Sequence, residues 1–176
     1  MKKILAVIDM QNDFIDGSLG TKEAQEIVEN VVVKIKAYAG ETVFATRDTH
    51  GENYMETSEG RHLPVPHCIK GTEGWEIRDE VAKALSQVNA EIIDKPTFGS
   101  QVLAERIAET VQKEEEAEIE FVGLCTDICV VSNVLLVKAK LPETVLKVDA
   151  KCCAGVTPES HEAALLTMKM CQVEVG

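Results

Sequence analysis

The segment Ile4-Leu5-Ala6-Val7-Ile8, followed directly by Asp9, decides the fold prediction. Five uninterrupted apolar residues are typical of a β-strand that is covered on both faces, because a solvent-facing side would carry polar residues at alternate positions. Strands of this kind occur in parallel sheets that lie between two layers of helices. Ligands of such sheets bind beyond the carboxyl ends of the strands, which is where Asp9 lies.

The same pattern of apolar strand, polar loop and amphipathic helix continues along the chain. Further strands are predicted at 42–46, 90–93, 117–123, 144–149 and 172–175. Helices are predicted at 21–39, 102–111, 127–139 and 158–170, and the acidic run 114–116 is interpreted as a solvated helix end. This alternation predicts an α/β fold with an open, mostly parallel six-stranded sheet and helices on both faces, a Rossmann-like three-layer arrangement. With 176 residues, the chain is expected to form one domain over residues 1–176.

Composition narrows the choice of partners and compartment. The chain is 45% hydrophobic and 27% charged, which is typical of a globular protein and not of a disordered or membrane-spanning one. A net charge of −12 disfavours nucleic acid and anionic membrane surfaces as partners. Asp9 ends the only apolar run near the start, so no signal peptide is predicted and we expect a cytoplasmic protein. The six cysteines are therefore expected to be free thiols.

Residues able to do chemistry follow four of the predicted strands. Asp9 follows the first, Asp48 and His50 the second, Lys95 the third, and the segment Cys125-Thr126-Asp127-Ile128-Cys129 the fourth. Because parallel strands end at the same edge of a sheet, a carboxylate, an ammonium, a thiol and two metal ligands should converge there.

Taken singly, each of these residues has a simpler interpretation. Asp9 alone would cap a turn, Lys95 would be a solvated surface lysine, and Cys129 would be a core residue. The position of Cys129 near a helix N-terminus, however, favours its thiolate. Asp48 and His50 are two residues apart, so both side chains share one face of the chain, and His67 follows 17 residues after His50.

These segments resemble the three signatures of the isochorismatase-like cysteine hydrolases. The matching stretches are Val7-Ile8-Asp9-Met10-Gln11-Asn12-Asp13-Phe14, Lys95-Pro96-Thr97-Phe98 and Gly123-Leu124-Cys125-Thr126-Asp127-Ile128-Cys129-Val130. Within that superfamily, Asp48-Thr49-His50 together with the segment from Pro66 to Gly74 is similar to the metal-binding loop of nicotinamidases.

The resemblance implies a catalytic triad of Asp9, Lys95 and Cys129. Lys95 would lower the pKa of the thiol, and Asp9 would transfer protons while Cys129 forms a covalent acyl intermediate. The backbone N–H groups of Cys125 and Cys129 would form the oxyanion hole, and the bond between Leu124 and Cys125 would be cis.

The resemblance also implies a divalent metal ion that anchors the pyridine nitrogen of the substrate. Asp48, His50 and His67 match the ligands, Glu59 is a candidate for a fourth, and His62 is a rival. Zinc suits two imidazoles and a carboxylate, and manganese or iron fits the same set.

Three positions are expected to form the substrate pocket. Phe14 and Phe98 match residues that flank the bound ring in nicotinamidases, and both could equally be core aromatics. Pro64 occupies a position where many relatives have an aromatic residue. This departure leaves the amide hydrolase chemistry intact but puts nicotinamide itself in question.

Three hypotheses follow for the function. The first is a metal-assisted cysteine amidase that acts on nicotinamide or a similar heteroaromatic amide, in pyridine nucleotide salvage. The second is a metal-free superfamily member that acts on an N-carbamoyl compound or isochorismate, and the third is a non-catalytic metal-binding or thiol redox protein. The complete metal-ligand set favours the first, and the resemblance further implies a homo-oligomer.

Overall fold

The computed structural model describes residues 1–112 and 116–176, so Glu114 and Glu115 of the acidic run lie outside the described residues. The strands are β1 (Lys2–Ile8), β2 (Thr42–Asp48), β3 (Glu91–Lys95), β4 (Ala117–Leu124), β5 (Val145–Ala154) and β6 (Glu174–Val175). The helices are α1 (Asn12–Ile15), α2 (Lys22–Glu26), α3 (Val28–Ala37), α4 (Ser58–His62), α5 (Asp79–Gln87), α6 (Gln101–Val111), α7 (Val131–Lys140) and α8 (Pro158–Met170). A 3-10 turn (Tyr54–Glu56) precedes α4, and a π-helical turn (Thr126–Val130) leads into α7.

The six strands form one sheet in the order β3-β2-β1-β4-β5-β6, and every neighbouring pair is parallel. This confirms the fold class predicted from the sequence. The order reverses direction between β1 and β4, because the chain builds outward from β1 to β3 and then crosses back to β4. A crevice opens at such a reversal, beyond the carboxyl ends of the two central strands.

Strand β1 is uniformly apolar because it contributes to two separate cores. Leu5 and Val7 pack on one face of the sheet with residues from α1, α2, α3 and α5. Ile4, Ala6 and Ile8 pack on the other face with residues from α6, α7 and α8. All five side chains are at most 1% exposed, which accounts for the absence of polar residues along the run.

The ends of β1 and β4 approach each other closely at Gly123. This residue has a φ of 118°, and a Cβ atom there would lie 2.1 Å from the carbonyl oxygen of Ile8. The pairing of β4 with β5 also shifts register between Phe121 and Gly123. Glycine is therefore required where the two central strands deliver their functional loops.

Several element boundaries differ from the sequence predictions. The single helix predicted at 21–39 is two helices, α2 and α3, which meet at Ile27. The N–H of Ile27 donates to the carbonyl of Gln25, which interrupts the helical hydrogen-bond pattern. Strand β5 continues to Ala154, beyond the predicted end at 149, because Cys153 and Ala154 pair with β4. Helix α5 was missed, although its buried residues Val81, Ala84 and Leu85 have helical spacing.

The cysteines agree with the sequence prediction, since all six are free thiols. None of the helices within residues 1–112 and 116–176 combines the length and the apolar character that crossing a membrane requires.

A half-buried ion network joins α3 to the middle of strands β4 and β5. The ammonium of Lys34 lies 2.8 Å from carboxylate oxygens of both Glu120 on β4 and Asp149 on β5. The hydroxyl of Tyr38 donates a 2.7 Å hydrogen bond to Glu120. Burial acts to raise the pKa of Asp149, but the hydrogen bond from Lys34, the charge of Lys34 and further hydrogen bonds together lower the pKa below its ordinary value.

Replacing Lys34 tests this network. Lys34→Met should lower the free energy of unfolding by about 1–2 kcal/mol near pH 7, since two carboxylates lose their shared cation. The pKa of Asp149 is lowered in the folded state, so the stabilisation is present above its ordinary value of 3.8 and is lost as the pH falls further. Urea denaturation should therefore show the difference shrinking toward pH 3. The exposed pair of Lys22 and Glu26 provides the control, because Lys22→Met should change stability by less than about 0.5 kcal/mol.

Candidate active site

The structure brings Asp9, Lys95 and Cys129 together beyond the carboxyl ends of three strands. Asp9 follows β1, Lys95 is the last residue of β3, and Cys129 lies in the π-helical turn after β4. The ammonium nitrogen of Lys95 is 2.7 Å from Oδ2 of Asp9 and 3.5 Å from Sγ of Cys129. The three residues are 0%, 1% and 5% exposed, so they form a nearly dry cluster in which charges interact strongly.

Asp9 is oriented by its backbone and by Thr46, a residue that the sequence analysis missed. A φ of 46° turns the chain out of β1 at Asp9, a left-handed conformation that Asp tolerates better than most residues. The hydroxyl of Thr46 donates a 2.7 Å hydrogen bond to Oδ1, which leaves Oδ2 for Lys95. Burial raises the pKa of Asp9 although Lys95 opposes this shift, and a raised pKa suits a carboxylate that accepts and releases protons.

Lys95 is held as an ammonium in the middle of the cluster. Its Nζ donates to the carbonyl of Thr97 at 3.0 Å and lies 3.4 Å from Oδ1 of Asp48. Burial disfavours the charged form, but the interactions with Asp9, Cys129 and Asp48 together outweigh burial and raise the pKa of Lys95. The positive charge is therefore retained between the cysteine and two acidic groups.

The pKa of the Cys129 thiol is shifted upward overall. Burial raises the pKa of this thiol well above its ordinary value, and the carboxylate of Asp9 raises it further. Lys95 acts in the expected direction but does not compensate for both effects. Cys129 is therefore a neutral thiol at neutral pH, and its thiolate requires a base that takes the proton.

The turn that carries Cys129 has the conformation that the resemblance implied. The bond between Leu124 and Cys125 is cis, and the carbonyl of Cys125 accepts from the N–H groups of Ile128 at 3.1 Å and Val130 at 3.0 Å. The carboxylate of Asp127 accepts from the N–H of Val156 at 3.0 Å, which ties the turn to the segment before α8.

A hydrogen bond from α8 also braces this turn. Oγ1 of Thr126 and Nδ1 of His161 are 2.7 Å apart, and Thr126 is completely buried. The backbone that positions Cys125 and Cys129 is therefore fixed from outside the turn as well as from within.

Four potential metal ligands form a second cluster beside the first. Asp48, His50, Glu59 and His67 each offer one ligand atom, and these atoms all lie within 4.8 Å of one another. Nε2 of His67 is 3.6 Å from Oδ2 of Asp48 and 3.5 Å from Oε1 of Glu59. His62, the rival candidate, is exposed and pairs through Nδ1 with the carbonyl of Ser58 at 2.7 Å. The geometry thus favours Glu59 over His62.

The chemistry of the second cluster fits a divalent cation. Hydrogen bonds to His50 and His67 lower the pKa of Asp48 even though burial acts to raise it. Burial would lower the pKa of His67, but hydrogen bonds to Asp48 and Glu59 raise it to about 10. The carboxylates therefore stabilise positive charge at this point, and two imidazoles with two carboxylates form a donor set that zinc accepts.

Two contacts preorganise the ligands. Nδ1 of His67 pairs with the carbonyl of Val65 at 2.8 Å, so that Nε2 faces the cluster. The buried amide of Gln11 binds both backbone groups of Asp48, accepting from its N–H at 2.7 Å and donating to its carbonyl at 2.8 Å. Gln11 was missed, although a polar residue so soon after a buried strand was an available signal.

A cavity of about 680 Å³ connects the two clusters. Cys129 lines the cavity together with Cys125 from the same turn. Three of the potential metal ligands, Asp48, Glu59 and His67, line it as well. The rings of Phe14 and Phe98 complete this part of the lining. The wall is mainly apolar, and Phe98 is 43% exposed at its rim.

Pro64 was expected to form part of the substrate pocket, but it is not among the described residues that line the cavity. Pro64 is exposed, and the neighbouring Leu63 forms the wall. A hydrogen bond of 2.8 Å from the hydroxyl of Tyr54 to the carbonyl of Leu63 holds the loop in this orientation.

An all-parallel sheet with a cavity and polar clusters at the carboxyl ends of its central strands defines an α/β enzyme. The chain belongs to the isochorismatase family, whose domain matches residues 3–176. It is therefore an enzyme of that family.

Known relatives cover almost the whole chain. The isochorismatase family protein PncA of Bacillus subtilis (strain 168) is 30% identical over 174 residues, which is 94% of this chain and 93% of the relative. A crystal structure of nicotinamidase/pyrazinamidase PncA from Bacillus subtilis superposes with a TM-score of 0.85 and 27% identity, and covers 100% of both chains. The pyrazinamidase of Pyrococcus horikoshii in complex with zinc has a TM-score of 0.80 and 25% identity, with 100% and 99% coverage. The two solved relatives are amidohydrolases.

The ligand assignment can be tested without an activity assay. Glu59→Gln should weaken zinc binding by about tenfold to a hundredfold, because one of two anionic ligands becomes neutral. The matched variant His62→Gln, in the same helix α4, should leave the affinity unchanged. Competition with a chromophoric chelator gives both dissociation constants. A larger loss for His62→Gln than for Glu59→Gln would reverse the assignment.

Proposed function

We propose that this protein is a metal-assisted cysteine amidohydrolase that converts nicotinamide, or a similar heteroaromatic amide, to the carboxylic acid and ammonia. One observation carries the proposal: Lys95 contacts both Asp9 and Cys129, and Cys129 lines a cavity that is also lined by Asp48, Glu59 and His67 of the metal-ligand cluster. A thiol redox or purely metal-binding protein has no need for a buried lysine between a cysteine and a carboxylate.

The first half of the reaction acylates the enzyme. Asp9 takes the proton of the Cys129 thiol, a base being required because the pKa of that thiol is raised. The thiolate, stabilised by Lys95, attacks the amide carbon and forms a C–S bond. The N–H groups of Cys125 and Cys129 stabilise the resulting oxyanion. The C–N bond then breaks as Asp9 returns its proton to the departing ammonia.

The second half releases the acid. Asp9, again a carboxylate, removes a proton from a water molecule that attacks the thioester carbon. The C–S bond breaks, and the sulfur of Cys129 recovers the proton from Asp9. The raised pKa of Asp9 supports this repeated exchange, because it makes the carboxylate a stronger base than an ordinary aspartate.

Asp48, His50, Glu59 and His67 would hold the metal ion, with zinc the favoured identity because a relative binds zinc and the donor set suits it. When bound, the ion would supply a Lewis-acid site that coordinates the ring nitrogen of the substrate. Phe14 packs against His67 with ring centroids 5.5 Å apart, which favours an aromatic ring in the adjacent space. We place the activity in cytoplasmic pyridine nucleotide salvage, and the reduced cysteines are consistent with that compartment.

The central test is ammonia release from nicotinamide, pyrazinamide and an N-carbamoyl amide by the zinc-loaded protein. Nicotinamide should be hydrolysed by the unmodified protein, and Cys129→Ala should lower kcat by at least about a thousandfold. The control variant Cys125→Ala should retain appreciable activity, because only its backbone N–H is required. Circular dichroism would establish that both variants are folded.

Two results would contradict the proposal. Activity that survives in Cys129→Ala and is lost in Cys125→Ala would exclude the assigned nucleophile. Turnover of the N-carbamoyl amide alone, at the same rate with and without zinc, would favour the metal-free alternative instead.

The role of the metal site can be tested separately with two aromatic amides. His50→Ala should lose the metal and raise KM for nicotinamide by about tenfold or more, because the ring nitrogen loses its anchor. KM for benzamide, which has no ring nitrogen, should change much less. Steady-state kinetics together with elemental analysis measures both quantities. Full nicotinamide activity in metal-free His50→Ala would exclude the anchoring role.

A further inference from the structure

Asn133 is a fully buried polar residue of α7, and the catalytic proposal does not use it. Its side-chain nitrogen donates to the carbonyl of Cys129 at 2.8 Å and to the carbonyl of Phe98 at 3.0 Å. Its side-chain oxygen accepts from the N–H of Ser100 at 2.9 Å. One amide therefore connects the nucleophile to the loop between β3 and α6.

That loop carries one wall of the cavity. Phe98 lines the cavity near its rim, and Ser100 caps α6 by accepting from the N–H of Leu103 at 3.0 Å. At the start of the loop, Lys95 donates to the carbonyl of Thr97. The loop is thus fixed at three points, and Asn133 joins it to α7 by side-chain hydrogen bonds to Phe98 and Ser100.

Together these contacts form a closed ring. Lys95 contacts Cys129 at 3.5 Å, Cys129 binds Asn133 through its carbonyl, Asn133 binds Phe98, and the short chain from Phe98 leads back to Lys95. A Cβ at Gly99 would lie 3.5 Å from the carbonyl of Ser132, so the loop runs close against α7. This ring of contacts restricts the distance between Sγ of Cys129 and the part of the cavity wall that Phe98 forms.

The residue type fits this task. Asparagine presents two N–H donors and an acceptor on a short, rigid side chain, and all three groups are used here. The side chains of threonine and valine are similar to that of asparagine in volume near the backbone, but they are too short to reach the loop. A threonine hydroxyl can still donate to the carbonyl four residues earlier in a helix, which here is that of Cys129.

We propose that Asn133 is a positioning residue that sets the separation between the Cys129 nucleophile and the Phe98 wall, and so determines how tightly the substrate ring is held. The kinetic consequence rests on the function proposed above. The structural consequence, a loop fixed to α7 by one side chain, does not depend on it.

Two variants separate this role from a merely structural one. Asn133→Thr keeps the hydrogen bond to the carbonyl of Cys129 but loses the hydrogen bonds to Phe98 and Ser100 in the loop. Asn133→Val loses all three hydrogen bonds. If the loop connection matters, both variants should raise KM for nicotinamide by roughly tenfold with a smaller change in kcat. Recovery of the original KM in Asn133→Thr, with a defect only in Asn133→Val, would show that Asn133 merely satisfies the helix carbonyl and would overturn the proposal.

Hydrogen–deuterium exchange provides a readout that needs no activity. Both variants should accelerate exchange in the segment 96–103 at least severalfold, while the protein remains folded by circular dichroism. The control Asn30→Ala removes an amide-to-carbonyl hydrogen bond, to Lys151 at 2.9 Å, that lies away from the cavity, and it should leave both KM and the exchange of 96–103 unchanged. Unchanged exchange of 96–103 in both Asn133 variants would overturn the proposal. Failure of the unmodified protein to hydrolyse nicotinamide would instead overturn the proposed function, and exchange would still decide the role of Asn133.

Discussion

The ion pair between Lys95 and Asp9 is the interaction on which the site depends. Both groups are excluded from water, and removing two charges from water costs several kcal/mol per ion before their attraction compensates. Two hydrogen bonds stabilise the buried pair, one from the hydroxyl of Thr46 to the carboxylate of Asp9 and one from the ammonium of Lys95 to the carbonyl of Thr97. As a result, the charged ammonium of Lys95 lies 3.5 Å from the sulfur of Cys129.

The sheet topology is what makes this pair possible. Asp9 and Cys129 come from the two central strands, β1 and β4, between which the strand order reverses, whereas Lys95 reaches inward from β3 at the edge. Gly123 lets the ends of the central strands approach without a side chain between them. The same edge of the sheet places Asp48 between the ion pair and the metal-ligand cluster, so one carboxylate contacts both.

The sequence and the structure agree most closely where the chemistry requires particular residue types at fixed places. The parallel α/β sheet, the convergence of Asp9, Lys95 and Cys129, and the grouping of Asp48 with its histidines could all be predicted, because Asp9, Asp48, Lys95 and the segment that carries Cys129 lie at or just after the ends of predicted strands. Helix α5 and the division between α2 and α3 were missed. Glu59 remained one of two candidates, because loop residues have no periodic pattern that fixes their direction.

By itself, the sequence determined the layers of the fold and the kinds of groups at the carboxyl edge, since hydrophobic periodicity records burial and strand ends share one edge. Only the tertiary structure decided that the pKa of Cys129 is raised, because burial and the neighbouring Asp9 carboxylate together outweigh Lys95. It also decided that Leu63 and not Pro64 lines the cavity. The ring of contacts through Asn133 was equally invisible in the sequence, because it joins segments far apart in the chain through distances that only packing sets.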